Sequence, residues 1–339
     1  MSTVVKRVPA GIVRRGGVRR RTAAGLTAVD TRVKRARTRP DAIVGDDRVQ
    51  RIPHRAPRLA NRPNRTPADD DATVLQRTGM RGIRLQLDYW KAEERLQNER
   101  IGHAVVIYGS TRIVAPAVAN ARLNEANRLL AARPHDAGRR HAVAAASRLV
   151  EHSVYYRVAR EFGRIVGHAD RCTRTARLAV VTGGGPGIME AANRGAYECG
   201  APSIGFNIEL PREQAPNPYI TPGLCFRFHY FAIRKLHLLE RAKAAVFFPG
   251  GYGTFDELFE VLTLLQTRKI PPLPVILVGK AYWRRAVDLA FLADEGMIDR
   301  RDLDLFTYCE SAPDIWRAIG DWYGRRRTRR APRAAARRP

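Results

Sequence analysis

The chain has 339 residues, with 60 Lys and Arg against 33 Asp and Glu, a formal net charge of +27 and a pI near 11.1. At 45% hydrophobic it can bury a sizeable core, which excludes a disordered protein over most of its length. The basic excess points at face value to a polyanion partner, but its distribution argues otherwise. Residues 1–80 carry 19 basic and 7 acidic side chains, and residues 325–339 carry 8 Arg and no acid. Residues 81–324 keep a net of +7, ordinary for an enzyme. Only seven of the 60 basic residues are Lys, so the Arg excess reads as compositional bias rather than a phosphate-binding surface.

Residues 1–80 mix Arg, Pro, Asp and Thr without periodicity, as in Asn61 to Pro67, and are expected to be a disordered extension. The Arg-rich residues 325–339 are expected to form a second disordered tail. Between them, residues 81–324 form the predicted folded domain. Its first element is an amphipathic helix over Leu85 to Arg100. Ala104–Tyr108 then reads as a buried parallel strand that ends in a tight turn at Gly109-Ser110. Comparable apolar runs follow at Leu178–Val181, Ser203–Phe206, Ala244–Phe248 and Pro274–Val278, most leading through Gly or Pro into a helical pattern. That alternation predicts an α/β fold, a Rossmann-like doubly wound parallel sheet with helices on both faces.

The first crossover, from Tyr108 to Leu178, is far longer than the roughly 30 residues of a simple βαβ unit. It should hold two helices broken near Pro134, the second with Ala146, Val150, Val154, Val158, Phe162 and Ile165 as a core-facing stripe.

Two glycine loops carry the chemistry. Val181-Thr182 opens through Gly183, Gly184, Gly185, Pro186 and Gly187 into a helix containing Glu190, so unpaired N–H groups and the positive helix end face the strand terminus. The spacing meets neither the dinucleotide nor the P-loop fingerprint. The second loop, Pro249-Gly250-Gly251-Tyr252-Gly253-Thr254, also leaves a strand and enters an amphipathic helix. Here Thr254 and Glu257 also fit a capping box, which would explain those two residues but not the glycines. Two such loops place anion sites where doubly wound sheets bind ligands. Between them, a helical pattern over Phe228 to Glu240 carries Arg234 and Lys235 among apolar neighbours, with His229 and His237 read as structural.

The combination Gly183 to Glu190, Arg234-Lys235 and Pro249 to Glu257 resembles the LOG family, the cytokinin riboside 5'-monophosphate phosphoribohydrolases often mislabelled as lysine decarboxylases. Within it the chain is similar to the longer bacterial members, several described as AMP nucleosidases, over about Arg81 to Trp322. The resemblance implies hydrolysis of the N-glycosidic bond of nucleoside 5'-monophosphates to free base and ribose 5-phosphate, usually by a homodimer with sites near the interface. It implies Arg234 and Glu257 as the catalytic pair. Lys235 and the loop Gly250, Gly251, Tyr252, Gly253 and Thr254 would contact substrate, with a looser match for Glu213. The further candidate contacts are Gly109, Ser110, Gly183, Gly184, Gly185, Gly187 and Glu190.

The chemistry of the residues agrees with that reading. Cleavage of a ribose–base bond passes through an oxocarbenium-like state that a carboxylate stabilises. Glu257, just inside a helix N-terminus, is expected to be ionised at pH 7. The loops would hold the 5'-phosphate, and Arg234 would neutralise phosphate or assist departure of the base. A non-catalytic nucleotide or nucleotide-cofactor carrier of the same fold is the alternative. A third reading makes nucleic acid, bound through the Arg tails, the main partner, and the first is preferred to it; weak nonspecific contact with nucleic acid remains as an accessory property.

No cofactor and no metal site are expected. Cys172, Cys199, Cys225 and Cys309 lack zinc spacing and read as free buried thiols. No apolar run approaches the length of a membrane span, and the expected setting is soluble and cytoplasmic.

Overall fold

Runs such as Val105-Val106-Ile107 and Val275 to Val278 have no polar alternation, so a sheet built from them must be covered on both faces. The computed structural model describes residue 67 and residues 70–170, 176–209 and 215–330, with the side chains of 327–330 left aside. Most of the expected N-terminal extension, Cys172, Glu213 and residues 331–339 lie outside the described residues.

Among the described residues, seven strands form one parallel sheet. They are β1 (Ile101–Tyr108), β2 (Arg177–Thr182), β3 (Ser203–Ile208), β4 (Cys225–Phe228), β5 (Ala242–Phe247), β6 (Val275–Val278) and β7 (Phe306–Cys309). Their order is β4-β3-β2-β1-β5-β6-β7, and every pairing is parallel. The chain winds outward from β1 to β4, returns to pair β5 with the other side of β1, and then winds outward again. Winding therefore reverses between β1 and β5, which is where doubly wound sheets open a crevice beyond the strand C-termini.

The helices are α1 (Ala72–Gln76), α2 (Arg81–Asn98), α3 (Pro116–Ala131), α4 (Ala137–His152), α5 (Val154–Asp170), α6 (Ile188–Glu198), α7 (Phe231–Glu240), α8 (Tyr252–Gln266), α9 (Lys280–Ala286), α10 (Leu289–Asp294) and α11 (Ala312–Arg330). Alternate strand residues divide the core in two. Val106, Tyr108, Val181, Phe206 and Phe247 pack with Leu96 of α2, Leu238 of α7 and Leu258 of α8. Val105, Ile107, Val180 and Val246 pack on the other face with Phe162 of α5, Ala191 of α6 and Ile315 of α11.

The doubly wound reading and its five strands hold, while other expectations change. β4 and β7 were not expected, because each is only four residues long and partly exposed. The first crossover holds three helices rather than two, with the chain breaking again at Ser153. The expected stripe therefore spans two helices: Phe162 is fully buried, Val154 is exposed, and the covering face of α5 is Tyr156, Ala159, Phe162, Gly163, Val166 and Gly167. Within the expected extension, residues 72–76 are α-helical and 78–80 form a 3-10 turn. Helix α11 continues through Arg330, past the expected tail boundary. Cys199 and Cys309 are buried, but Cys225 is exposed on β4.

Helices α5 and α6 approach so closely that two glycines are required at their crossing. A Cβ on Gly163 would lie 2.2 Å from the Ala192 carbonyl oxygen, and one on Gly195 would lie 2.0 Å from that of Arg160. Gly163→Ala should lower the urea unfolding free energy by about 1–3 kcal/mol, the usual cost of overpacking. Gly320→Ala, on a helical glycine with open space around it, should cost no stability in the same measurement.

Candidate functional site

Three chain reversals meet at the C-terminal ends of β1, β2 and β5. The Ser110 N–H donates to the Pro249 carbonyl at 3.0 Å, and the Ile188 N–H donates to the Ser110 carbonyl at 3.1 Å. Such spacing leaves no room for side chains. A Cβ on Gly187, whose φ is +74°, would lie 2.5 Å from the Ser110 carbonyl oxygen, and one on Gly109 would lie 2.6 Å from Ile188 Cγ2. These glycines are needed for backbone approach, and the effect is to gather the loops around the switch point.

The Gly183–Gly187 loop is held from beneath by a buried polar network. Thr182 Oγ1 donates to Asn193 Oδ1 at 2.6 Å and accepts from the Gly184 N–H at 2.9 Å. Asn217 Nδ2 donates to the carbonyls of Gly184 and Gly185, each at 3.1 Å, and Asn193 Nδ2 donates to Ser203 Oγ at 2.9 Å. Thr182, Asn193 and Ser203 are fully buried and Asn217 nearly so. Sequence reasoning missed all four, because single Asn, Thr and Ser residues scattered over 36 positions carry no spacing signal.

Arg234 of α7 and Glu257 of α8 meet beside these loops. Arg234 Nη2 lies 2.7 Å from Glu257 Oε1, with the two side chains 13% and 14% exposed. A Cβ on Gly183 would be 4.0 Å from Arg234 Nη1, so the guanidinium reaches the first glycine loop. Phe231, half exposed, lies under the guanidinium with its ring centre 5.1 Å away. Tyr108, at the end of β1, is buried below and stacks on Phe247 at 4.5 Å. Burial raises its phenol well above the ordinary value, and the charges of Glu257 and Glu260 add to the rise.

The Glu257 carboxyl is pushed up to about 7 by burial, against the pull of Arg234 and Lys235. The expectation of full ionisation at pH 7 is therefore corrected to a group near its midpoint. The physical reason is its place in the helix. Gly251 is the N-cap and α8 starts at Tyr252, without any side-chain cap. Thr254 and Glu257 thus lie inside the helix, the capping-box reading fails, and desolvation outweighs a dipole that fades within the first turn. Thr254 is buried against Gly250 instead, where a Cβ would fall 2.1 Å from its Oγ1.

The other candidates separate. Gly251 and Gly253 have open space around them. Tyr252 is 97% exposed. Lys235 bonds Asp256 at 2.8 Å and Glu260 at 3.1 Å. Burial opposes its charge, but the two acids outweigh burial and raise its ammonium above the usual value. Glu190 turns away to accept from the Tyr156 hydroxyl of α5 at 2.9 Å.

The fold and site define a class: a doubly wound α/β protein whose glycine loops and a part-buried Arg–Glu pair lie at the topological switch point. Residues 189–319 match the family model described as "Possible lysine decarboxylase". The chain is 25% identical over 146 residues to the cytokinin riboside 5'-monophosphate phosphoribohydrolase LOG2 of Arabidopsis thaliana, covering 42% of this chain and 67% of that protein. Two solved structures are similar. The X-ray structure of TM1055, a structural-genomics target, has 20% identity and a TM-score of 0.40, with 65% of this chain and 99% of that chain covered. The molybdenum cofactor binding protein of the phototrophic bacterium Rippkaea orientalis has 17% identity and a TM-score of 0.37, covering 50% of this chain and 88% of that chain. The family match and the plant relative bear out the resemblance to the LOG family read from the motifs.

Because burial raises the folded-state Glu257 pKa from the ordinary 4.5 to about 7, its ionisation opposes folding. The stability associated with its protonated form is fully present below about pH 4.5 and is lost as pH rises through about 7. Glu257→Gln should therefore gain stability relative to the parent as pH rises from about 5 to 8, read from urea midpoints across that window. A pH-independent difference would contradict the raised pKa.

Proposed function

We propose that this protein is a nucleoside 5'-monophosphate phosphoribohydrolase, its enzyme domain spanning residues 81–324, that releases free base and ribose 5-phosphate from AMP or cytokinin ribotides. The observation that carries the reading is the part-buried Arg234–Glu257 pair, 2.7 Å apart beside the glycine loops. A phosphate-binding fold needs the loops alone. A carboxylate desolvated at their edge and neutralised by one guanidinium costs stability, and such a group suits a developing cation.

In this reading the N–H groups of the Gly183–Gly187 and Gly250–Thr254 turns receive the 5'-phosphate, whose binding energy orients the ribose. Glu257 faces the anomeric carbon. In its ionised form it stabilises the oxocarbenium-like state and takes a proton from the attacking water as the ribose–base bond breaks. Arg234 holds the carboxylate in position and offsets the phosphate charge, with its Nη1 turned toward Gly183. Phe231 lies where a base or ribose face could rest against it. Lysine decarboxylation is disfavoured by Lys235, the lysine nearest the pair in sequence: its ammonium is held between Asp256 and Glu260 and raised above its usual pKa. An amine that forms a Schiff base must instead be readily neutral.

Incubation with AMP, other nucleoside monophosphates, cytokinin ribotides and unphosphorylated nucleosides, with base release followed by chromatography, tests the proposal. Base should appear from a monophosphate and not from its nucleoside. Glu257→Gln should reduce kcat by at least about a hundredfold. The parent's kcat/KM should rise with pH to a plateau, with a midpoint near the Glu257 value of about 7. The absence of base release from every monophosphate would overturn the reading.

A further inference from the structure

Helices α2 and α7 meet on the same sheet face as α8, and at their crossing lies a second polar cluster, largely buried, in which the Arg234–Glu257 pair takes no part. His237 sits on α7 one turn beyond Arg234, and its side chain is fully buried. Its Nε2 is 3.1 Å from the Tyr89 carbonyl oxygen. A carbonyl only accepts, so Nε2 carries the proton and Nδ1 presents a lone pair. That Nδ1 has no hydrogen-bond partner and faces Glu240 Oε2 at 3.8 Å. Glu93 of α2, with its side chain 10% exposed, likewise leaves Oε2 unpartnered. One ring nitrogen of His237 and one carboxylate oxygen each from Glu93 and Glu240 all lie within 4.8 Å of one another.

Three acceptors thus converge, with the unpartnered Nη1 of Arg241 3.9 Å from Glu240 Oε2. In each of the three residues the other polar atom is already engaged. His237 Nε2 donates to the Tyr89 carbonyl, and Glu240 Oε1 accepts from the Tyr89 hydroxyl at 3.0 Å. Glu93 Oε1 accepts from Arg241 and from Gln97, each at 2.6 Å. The Tyr89 ring also stacks on His237 at 4.9 Å, fixing the imidazole plane. A ring N–H tied to a backbone carbonyl and carboxylates held by their outer oxygens are the supports found behind metal ligands. With Arg241 offsetting one carboxylate, the cluster retains one negative charge.

We propose that His237 Nδ1, Glu93 Oε2 and Glu240 Oε2 form a binding site for a divalent transition-metal ion, with zinc the best match to one imidazole and two carboxylates. Ligands at roughly 2.0–2.2 Å in a tetrahedron stand about 3.4 Å apart, so the site must tighten on the ion. Glu240, the one exposed member of the three with its side chain 35% exposed, would make that movement. The unpartnered Nη1 of Arg241 is placed to donate to a solvent ligand on the ion. The ion would pin α2 to the helix that presents Arg234. The site stands whether or not the nucleotide chemistry proposed above is correct.

The test is zinc titration of the full chain, stripped with EDTA and desalted, by calorimetry, with cobalt(II) absorption reporting the coordination. The parent should bind one equivalent more than Glu240→Gln, or bind that equivalent at least about tenfold more tightly. It should show the visible bands of a low-symmetry four-coordinate cobalt site and gain thermal stability with zinc. Glu240→Gln, a substitution of a partly exposed side chain, should keep the parent circular dichroism while losing these responses. His237→Gln should behave in the same way. No binding by the parent, or equal stoichiometry and affinity in the parent and Glu240→Gln, would overturn the proposal.

Discussion

Everything at the candidate site depends on how closely three backbones approach where the winding of the sheet reverses. Ser110 donates to Pro249 and accepts from Ile188, joining the turns after β1, β2 and β5 through main-chain groups. Gly187 and Gly109 permit this because any Cβ there would fall inside van der Waals contact. Once the turns are joined, α6 and α8 both start where the winding of the sheet reverses, the place at which doubly wound folds bind ligands.

That arrangement dictates the electrostatics of the acid. Glu257 follows the glycine loop on α8 but sits a full turn inside the helix, where α7 covers it. Desolvation raises its pKa to about 7, while Arg234 and Lys235 limit the rise. The Arg–Glu contact is as much a constraint as an attraction, since removing either partner would strand a buried charge. The polar network of Thr182, Asn193, Ser203 and Asn217 plays the matching part for the other loop, satisfying backbone groups that the glycine turn leaves open.

Much of this was legible before any coordinates. The five apolar runs at β1, β2, β3, β5 and β6 announced themselves because strands covered on both faces need no alternation. The glycine loops stood out by their place at strand ends, and Arg234 and Glu257 through the family resemblance that those motifs carry. Strands β4 and β7 did not, because four residues at a partly exposed sheet edge carry too little pattern. The break at Ser153 was also hidden, since Val150 and Val154 continue a helical period across it. Helix α11 runs to Arg330 although charge alone suggested a tail, because Ile315 and Ile319 anchor its first turns in the core.

Local sequence determined where strands turn into helices, which turns are glycine-bound, and that most of the net charge lies in the two terminal segments of the chain. Those properties depend on neighbours along the chain. Tertiary structure alone decided that Glu190 pairs with Tyr156, that Lys235 is taken up by two acids, and that His237 faces two carboxylates rather than simply filling the core. It also decided the protonation of Glu257. Each of these turns on groups distant in sequence sharing a small desolvated volume, and burial is a property of the fold that no local pattern of residues encodes.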